Sequence, residues 1–332
     1  THTASLPKGD SAYVLTYETS LAGKVIDQPT YYNTASYQNG DEKHDLTAKV
    51  TVPYSGNLAE KSGQQDSKNS SYVDYQIWVN KAQSTLKEVV VDDTPSANQI
   101  VDKNSIVIYP TTVATDGKVT EKTDAPLVLD KDYTVDLATD PTSGKQELKI
   151  AFKNQITSAY SIRYQSLINS SLINDTVSNS VTITGTGEKT VTETTISHTK
   201  VINSNGSATG KNLNLVIEKT DADTQKVLPG AAFDLYADNN GQKGQLLRSG
   251  TTDQNGKLVW NNLKSGKYIL LESKAPAGYI IDSDYAQGKE ISLDYTKVDT
   301  DNNTTLKVTN RQDQTSISGK KTWADNNNQD GQ

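Results

Sequence analysis

Three residues of different types, Lys219, Glu272 and Asn310, each extend the core-facing row of an apolar strand. In LNLVIEK (213–219) the row is Leu213, Leu215, Ile217 and Lys219; in YILLE (268–272) it is Tyr268, Leu270 and Glu272; in LKVTN (306–310) it is Leu306, Val308 and Asn310. Side chains two apart share one face of a strand. Three polar groups in a small core are costly unless they meet. If they meet, burial lowers the pKa of the lysine and raises that of the glutamate. The neutral amine of Lys219 then attacks the side-chain carbonyl of Asn310, and a protonated Glu272 polarises that carbonyl and shuttles protons. Ammonia leaves and an intramolecular isopeptide amide remains. The other reading places each residue at a frayed strand end with its head in water, where Lys and Glu usually sit.

Such a set needs β-structure to position it. Strand patterns dominate: VDYQIWV (73–79), LKEVVV (86–91), SIVIY (105–109), ELKIAF (147–152), LNLVIE (213–218), YILLE (268–272) and TLKVTN (305–310). Several alternate with period two between clusters of Gly, Asn, Asp, Ser or Pro. No long amphipathic helix is evident. Short strands separated by turns imply an all-β fold of sandwiches or partly open barrels.

At 332 residues the chain has room for two or three domains. It has no Cys, which excludes disulfides, thiolate nucleophiles and cysteine-ligated zinc. A net charge of −7 argues against nucleic acid as a partner, which needs a basic footprint. No apolar run is long enough for a membrane span, and no signal peptide opens the chain. The three histidines, at 2, 44 and 198, are scattered in polar contexts and suggest neither a metal site nor a triad; no metal and no cofactor are expected. The chain starts at Thr1 and stops in mid-pattern at Gln332, so it reads as a fragment.

An internal repeat organises the first half. SAYVLTYETSL (11–21) aligns with SAYSIRYQSLI (158–168), and each copy precedes an Asn in a polar strand, Asn33 in YYNTASY and Asn179 in VSNSVTI. Residues 1–57 therefore read as the last strands of one domain, and 58–185 as a complete second copy. Residues 186–211, rich in Thr, Ser, Gly and Asn, read as a linker or extension with VTETTIS as one possible strand. Residues 212–312 form a compact unit, and 313–332 begin something new.

The segments 219–236 (KTDADTQKVLPGAAFDLY), 251–279 (ending YILLESKAPAGY) and 308–310 (VTN) resemble the SpaA-like, or Cna-B-type, prealbumin-fold domain of Gram-positive surface proteins and pilins. The resemblance covers nearly all of 212–312, and YILLESKAPAGY looks like that family's E-box. It implies that Lys219 is the amine donor, Asn310 the acceptor and Glu272 the catalytic carboxyl. Ser273 stands where that family commonly has Thr.

Residues 58–184 resemble the collagen-binding-adhesin type of Ig-like domain, through EKSG (60–63), YQIWVN (75–80), VDDTPSANQ (91–99) and VSNSVTITG (177–185). In that family a Lys on the first strand bonds to an Asn on the last, with an Asp as catalyst. The matching positions are Lys61, Asn179 and Asp93. Asp93 continues the row Val89, Val91, whereas Asp92 falls on the other face; Asn179 shares its face with Val177 and Val181. Asn33 is then the orphan acceptor of the truncated first domain. The tail ISGKKTWADNNNQDG (317–331) resembles the opening of another Cna-B repeat, with Lys321 as an orphan donor.

Together these resemblances imply tandem Ig-like and prealbumin-like β-sandwich domains. They imply a stalk segment of an extracellular, cell-wall adhesin, fastened to peptidoglycan by an anchor outside this sequence and stabilised by self-catalysed Lys–Asn bonds rather than acting as a turnover enzyme. A sortase-polymerised pilin subunit, or a module that grips a host extracellular-matrix protein such as collagen, are the alternatives.

Overall fold

The computed structural model describes residues 3–140, 142–203, 212–313 and residue 319. Among these, twenty strands and one four-residue helix, α1 (Ser283–Ala286), make up the regular structure. Lys321 lies outside the described residues.

The first sandwich packs two five-stranded sheets. One has the order β3 (Ala59–Gln65), β4 (Tyr72–Val79), β10 (Ala159–Ile168), β6 (Gln99–Val113), β7 (Val119–Glu121). The other has the order β12 (Thr190–Ile202), β11 (Asn174–Thr186), β5 (Lys87–Pro95), β9 (Gln146–Phe152), β8 (Tyr133–Thr139). Alternation along β4 sends Val73, Tyr75, Ile77 and Val79 inward, and alternation along β11 does the same for Val177, Val181 and Ile183. These rows meet in one core with Val89, Val91, Ile108, Ile150 and Ile162.

β12 corrects the expected linker. Residues 190–202 pair antiparallel with β11 along their whole length, from Asn174 opposite Ile202 to Thr186 opposite Thr190. The inward residues at the far end of this strand are Ser197, Thr199 and Val201, so its buried face is mostly small and polar and lacks an apolar stripe. β12 also closes the sandwich against β3. The Glu193 carboxylate accepts from the backbone N–H groups of Leu58 (2.6 Å) and Ala59 (2.7 Å), and Gln65 bonds in both directions with the backbone of Ile202. Consequently Asn179 lies on the penultimate strand, not the last. Gly63 is obligatory at this seam: a Cβ there would stand 2.6 Å from both Thr199 Oγ1 and the Tyr75 ring.

The expected truncated first domain takes the form of a hairpin, β1 (Thr30–Asn39) with β2 (Glu42–Thr51), whose faces are exposed, including Tyr32, Tyr37, Leu46 and Val50. Residues 11–21 adopt no strand, unlike their repeat partner β10. The chain after them docks on the first sandwich through buried Ile26, whose N–H donates to Ser84, and through the ion pairs Lys24–Glu188 and Asp27–Lys189.

The second sandwich has one sheet of order β16 (Lys257–Leu263), β13 (Leu213–Asp221), β20 (Asn303–Gln312), β18 (Tyr279–Ile280). The other has the order β15 (Gln242–Thr251), β14 (Ala232–Asn239), β17 (Gly266–Lys274), β19 (Lys289–Leu293). Its first and last strands, β13 and β20, lie side by side and parallel, with Lys219 opposite Val308 and Asp221 opposite Asn310. Trp260, Phe233, Leu215, Ile217 and Leu270 fill the core. Ile100 and Leu167 of the first sandwich pack into this second core, and Asn262 spans the junction by donating to Ser143 (2.6 Å) and accepting from Asn169 (2.7 Å).

Gly63→Ala should lower the thermal transition of the first sandwich by the equivalent of about 1–3 kcal/mol of overpacking. Calorimetry of the intact chain checks this, because the transition of the second sandwich should stay in place.

Candidate functional site: two buried lysine–carboxyl–asparagine clusters

In the second sandwich, Lys219 is fully buried because it takes the next inward position after Leu213, Leu215 and Ile217 on β13. Glu272 reaches it from β17 in the opposite sheet, and Asn310 from the neighbouring β20, displaced by two residues along the parallel register. The three side chains close a triangle. Lys219 Nζ donates to Glu272 Oε2 at 2.9 Å and to Asn310 Oδ1 at 2.6 Å, and Asn310 Nδ2 donates to Glu272 Oε1 at 2.6 Å. The Phe233 ring lies 5.5 Å from Nζ and walls off solvent. Burial pushes the Lys219 ammonium below its ordinary value, against the pull of Glu272. Burial likewise raises the Glu272 carboxyl above its ordinary value, against the pull of Lys219. Both shifts favour transfer of the proton from nitrogen to oxygen. The cluster is thus suited to amide chemistry: a nucleophilic amine, a polarisable amide and a carboxyl bonded to both.

The first sandwich assembles a second cluster. Lys61 on β3 and Tyr164 on β10 come from one sheet, and Asp93 on β5 and Asn179 on β11 from the other. All four side chains are buried. Asp93 faces inward while Asp92 is exposed. Lys61 Nζ donates to Asp93 Oδ2 at 2.8 Å, between the Tyr75 and Tyr164 rings at 4.8 and 5.1 Å. Burial holds its ammonium below the ordinary value, against the opposing charge of Asp93.

Asn179 differs from Asn310 in its partner. Its Nδ2 donates to the Tyr164 hydroxyl at 2.6 Å, and that hydroxyl also accepts from Lys61 Nζ at 2.8 Å and donates to Asp93 Oδ2 at 2.5 Å. Tyr164 is the member of this cluster that reading the sequence missed. Its position was visible as the second Tyr of SAYSIRY, which aligns with Tyr17 of SAYVLTY. Asn33, by contrast, stands on exposed β1; its side-chain amide donates to the Tyr17 hydroxyl, and among the described residues it makes no hydrogen bond to a lysine or an acid.

Among the described residues no group of His, Asp or Glu has the arrangement of a metal site, and no helix is long and apolar enough to cross a membrane.

Comparison with known proteins agrees with this division. Residues 56–196 match the family described as a collagen binding domain, and residues 213–312 match SpaA, described as a prealbumin-like fold domain. The chain is 34% identical over 143 residues to a collagen adhesin of Staphylococcus aureus; the match takes in 38% of this chain but only 11% of that protein. Among solved structures, the collagen binding subdomain of the Enterococcus faecalis surface protein ACE is similar at 18% identity, with 43% of this chain and 96% of that one covered and a TM-score of 0.33. The major pilin subunit BcpA of Bacillus cereus is similar at 16% identity, with 84% and 78% covered and a TM-score of 0.29. The first match ends inside β12 of the first sandwich and the second spans the second sandwich, with residues 197–212 between them. Residues 56–196 are thus similar to a collagen binding domain and residues 213–312 to a SpaA prealbumin-like domain, a pairing consistent with a Gram-positive surface adhesin.

Proposed function

We propose that this chain is a stalk segment of a wall-anchored adhesin in which each sandwich fastens itself with one Lys–Asn isopeptide bond. The closed triangle of Lys219, Glu272 and Asn310 carries this reading. The neutral Lys219 amine attacks Cγ of Asn310 while the protonated Glu272 holds the amide. The new C–N bond forms, the bond from Cγ to Nδ2 breaks, and the amine proton passes through Glu272 to the departing nitrogen. One amine and one primary amide give one secondary amide and one ammonia, with no cofactor and no turnover. Lys61, Asp93 and Asn179 perform the same exchange in the first sandwich. The first link closes a loop from 219 to 310; by analogy with a cross-linked loop of ~100 residues it is worth about 4.7 kcal/mol. In a chain without Cys these bonds take the place of disulfides.

The match of 56–196 to a collagen binding domain supports a second role for the first sandwich, recognition of a matrix protein. Binding of the chain to immobilised triple-helical collagen, and weaker binding to heat-denatured collagen, is the expected result. Equal retention on uncoated surface would exclude it.

Intact mass of the purified chain should fall short of the sequence mass by two ammonias. Glu272→Ala and Asp93→Ala should each fall short by one, with the bond lost from their own sandwich only. A parent at full sequence mass would sink the proposal.

The pH dependence follows from the shifts at Lys219 and Glu272. The reactive pair shares one proton: acid adds a second and leaves Lys219 charged, while alkali removes it and leaves Glu272 ionised. Burial raises the carboxyl from its ordinary 4.5 and lowers the amine from its ordinary 10.5. The rate of ammonia loss, followed by mass after refolding an unreacted denatured chain, should be bell-shaped, with both limbs inside that interval.

A further inference from the structure

We propose that Tyr164 is a catalytic residue of the first sandwich, its hydroxyl passing the proton from the attacking Lys61 nitrogen to the departing Asn179 nitrogen. The inference rests on the reading that Lys61 and Asn179 become bonded.

Reach sets the two clusters apart. In the second sandwich one carboxylate serves both reactants, with Oε2 on Lys219 and Oε1 on Asn310. Asp93 is one methylene shorter than Glu272. Its Oδ2 takes both Lys61 and Tyr164, its Oδ1 is buried without a hydrogen-bond partner, and no hydrogen bond joins it to Asn179. The Tyr164 hydroxyl spans that gap. A phenol has one proton to give and two lone pairs to receive, and all three are engaged: it donates to Asp93 and accepts from Lys61 and Asn179. It therefore touches the nitrogen that attacks, the nitrogen that leaves and the acid.

The proton balance closes. When Nζ bonds to Cγ of Asn179, that nitrogen carries a surplus proton. Tyr164 takes it and gives its own proton to Nδ2, so ammonia departs and the phenol is restored. Burial and the neighbouring Asp93 keep the phenol protonated, well above its ordinary range, so its proton is present when needed. Asn179 Oδ1 is also buried without a partner.

The repeat provides an independent observation. Tyr17 and Asn33 occupy the positions of Tyr164 and Asn179, 16 and 15 residues apart in sequence respectively, and Asn33 again donates to its tyrosine. The Tyr–Asn pair thus recurs where, among the described residues, neither member bonds to a Lys or an Asp. The contact therefore forms without a neighbouring Lys61 equivalent, even where the tyrosine lies outside a strand.

Tyr164→Phe removes one oxygen and keeps the ring that stacks on Tyr75 at 5.3 Å. The test follows ammonia loss from each sandwich of the full chain during refolding of unreacted material, with the bond of the second sandwich as internal clock. We expect the second bond at the parent rate and the first slowed by about 100-fold or more, the usual reach of acid–base catalysis. Two ammonias lost at the parent rate would overturn the role of Tyr164 alone. A parent that links Lys219 but never Lys61 would overturn the underlying reading as well. To separate catalysis from folding, a fluorinated tyrosine at 164 keeps the hydroxyl and lowers its pKa. It should change the rate of the first bond without changing that of the second, and an unchanged rate would again overturn the role.

Discussion

A lysine enclosed between two β-sheets has no water to turn to, and the architecture of both sandwiches follows from that constraint. Removing one partner of a buried ion pair typically costs about 3–5 kcal/mol, so strand register around such a lysine is held tightly. In the second sandwich, a slip of β20 by one residue against β13 would turn Asn310 to solvent and bring Thr309 or Arg311 inward. The parallel alignment of the first and last strands is the arrangement that puts the amine and the amide in one layer while the opposite sheet supplies the acid.

The two clusters solve the same problem with different parts. Where β17 brings a glutamate, its two oxygens suffice. Where β5 brings an aspartate, a tyrosine from the facing sheet completes the circuit. The aromatic rings beside each lysine, Phe233 in one and Tyr75 with Tyr164 in the other, exclude water while offering the cation their faces. Desolvation and recognition therefore come from the same side chains.

Much of this was legible in the sequence because a strand alternates. The rows ending in Lys219, Glu272 and Asn310 identified their inward faces without any knowledge of pairing, and Asp93 was separable from Asp92 on the same ground. What the period could not convey was a strand whose buried face is polar. β12 turns Ser197 and Thr199 inward because it seals a narrow seam over Gly63, where there is no space for larger side chains. Tyr164 escaped notice for a related reason: on an apolar strand a tyrosine reads as core, and only its contacts distinguish a hydroxyl at work from a ring at rest.

The position of β12 has a consequence for extensibility. With Lys219 joined to Asn310, the chain between them, whose contour is about 300 Å when drawn out, is withheld from any pull applied at the ends of β13 and β20. Under the proposed bond that sandwich would transmit load as a rigid rod. In the first sandwich the proposed staple at Asn179 would leave β12 outside the closed loop, because the strand follows the acceptor in sequence. Under the proposed bond the stretch from 187 to 203 would peel from β11 and release about 55 Å of chain while the core rows of β11, with Val181 and Ile183, stay folded. The seam that Glu193 and Gln65 hold would then act as a reversible shock absorber in series with the two proposed links.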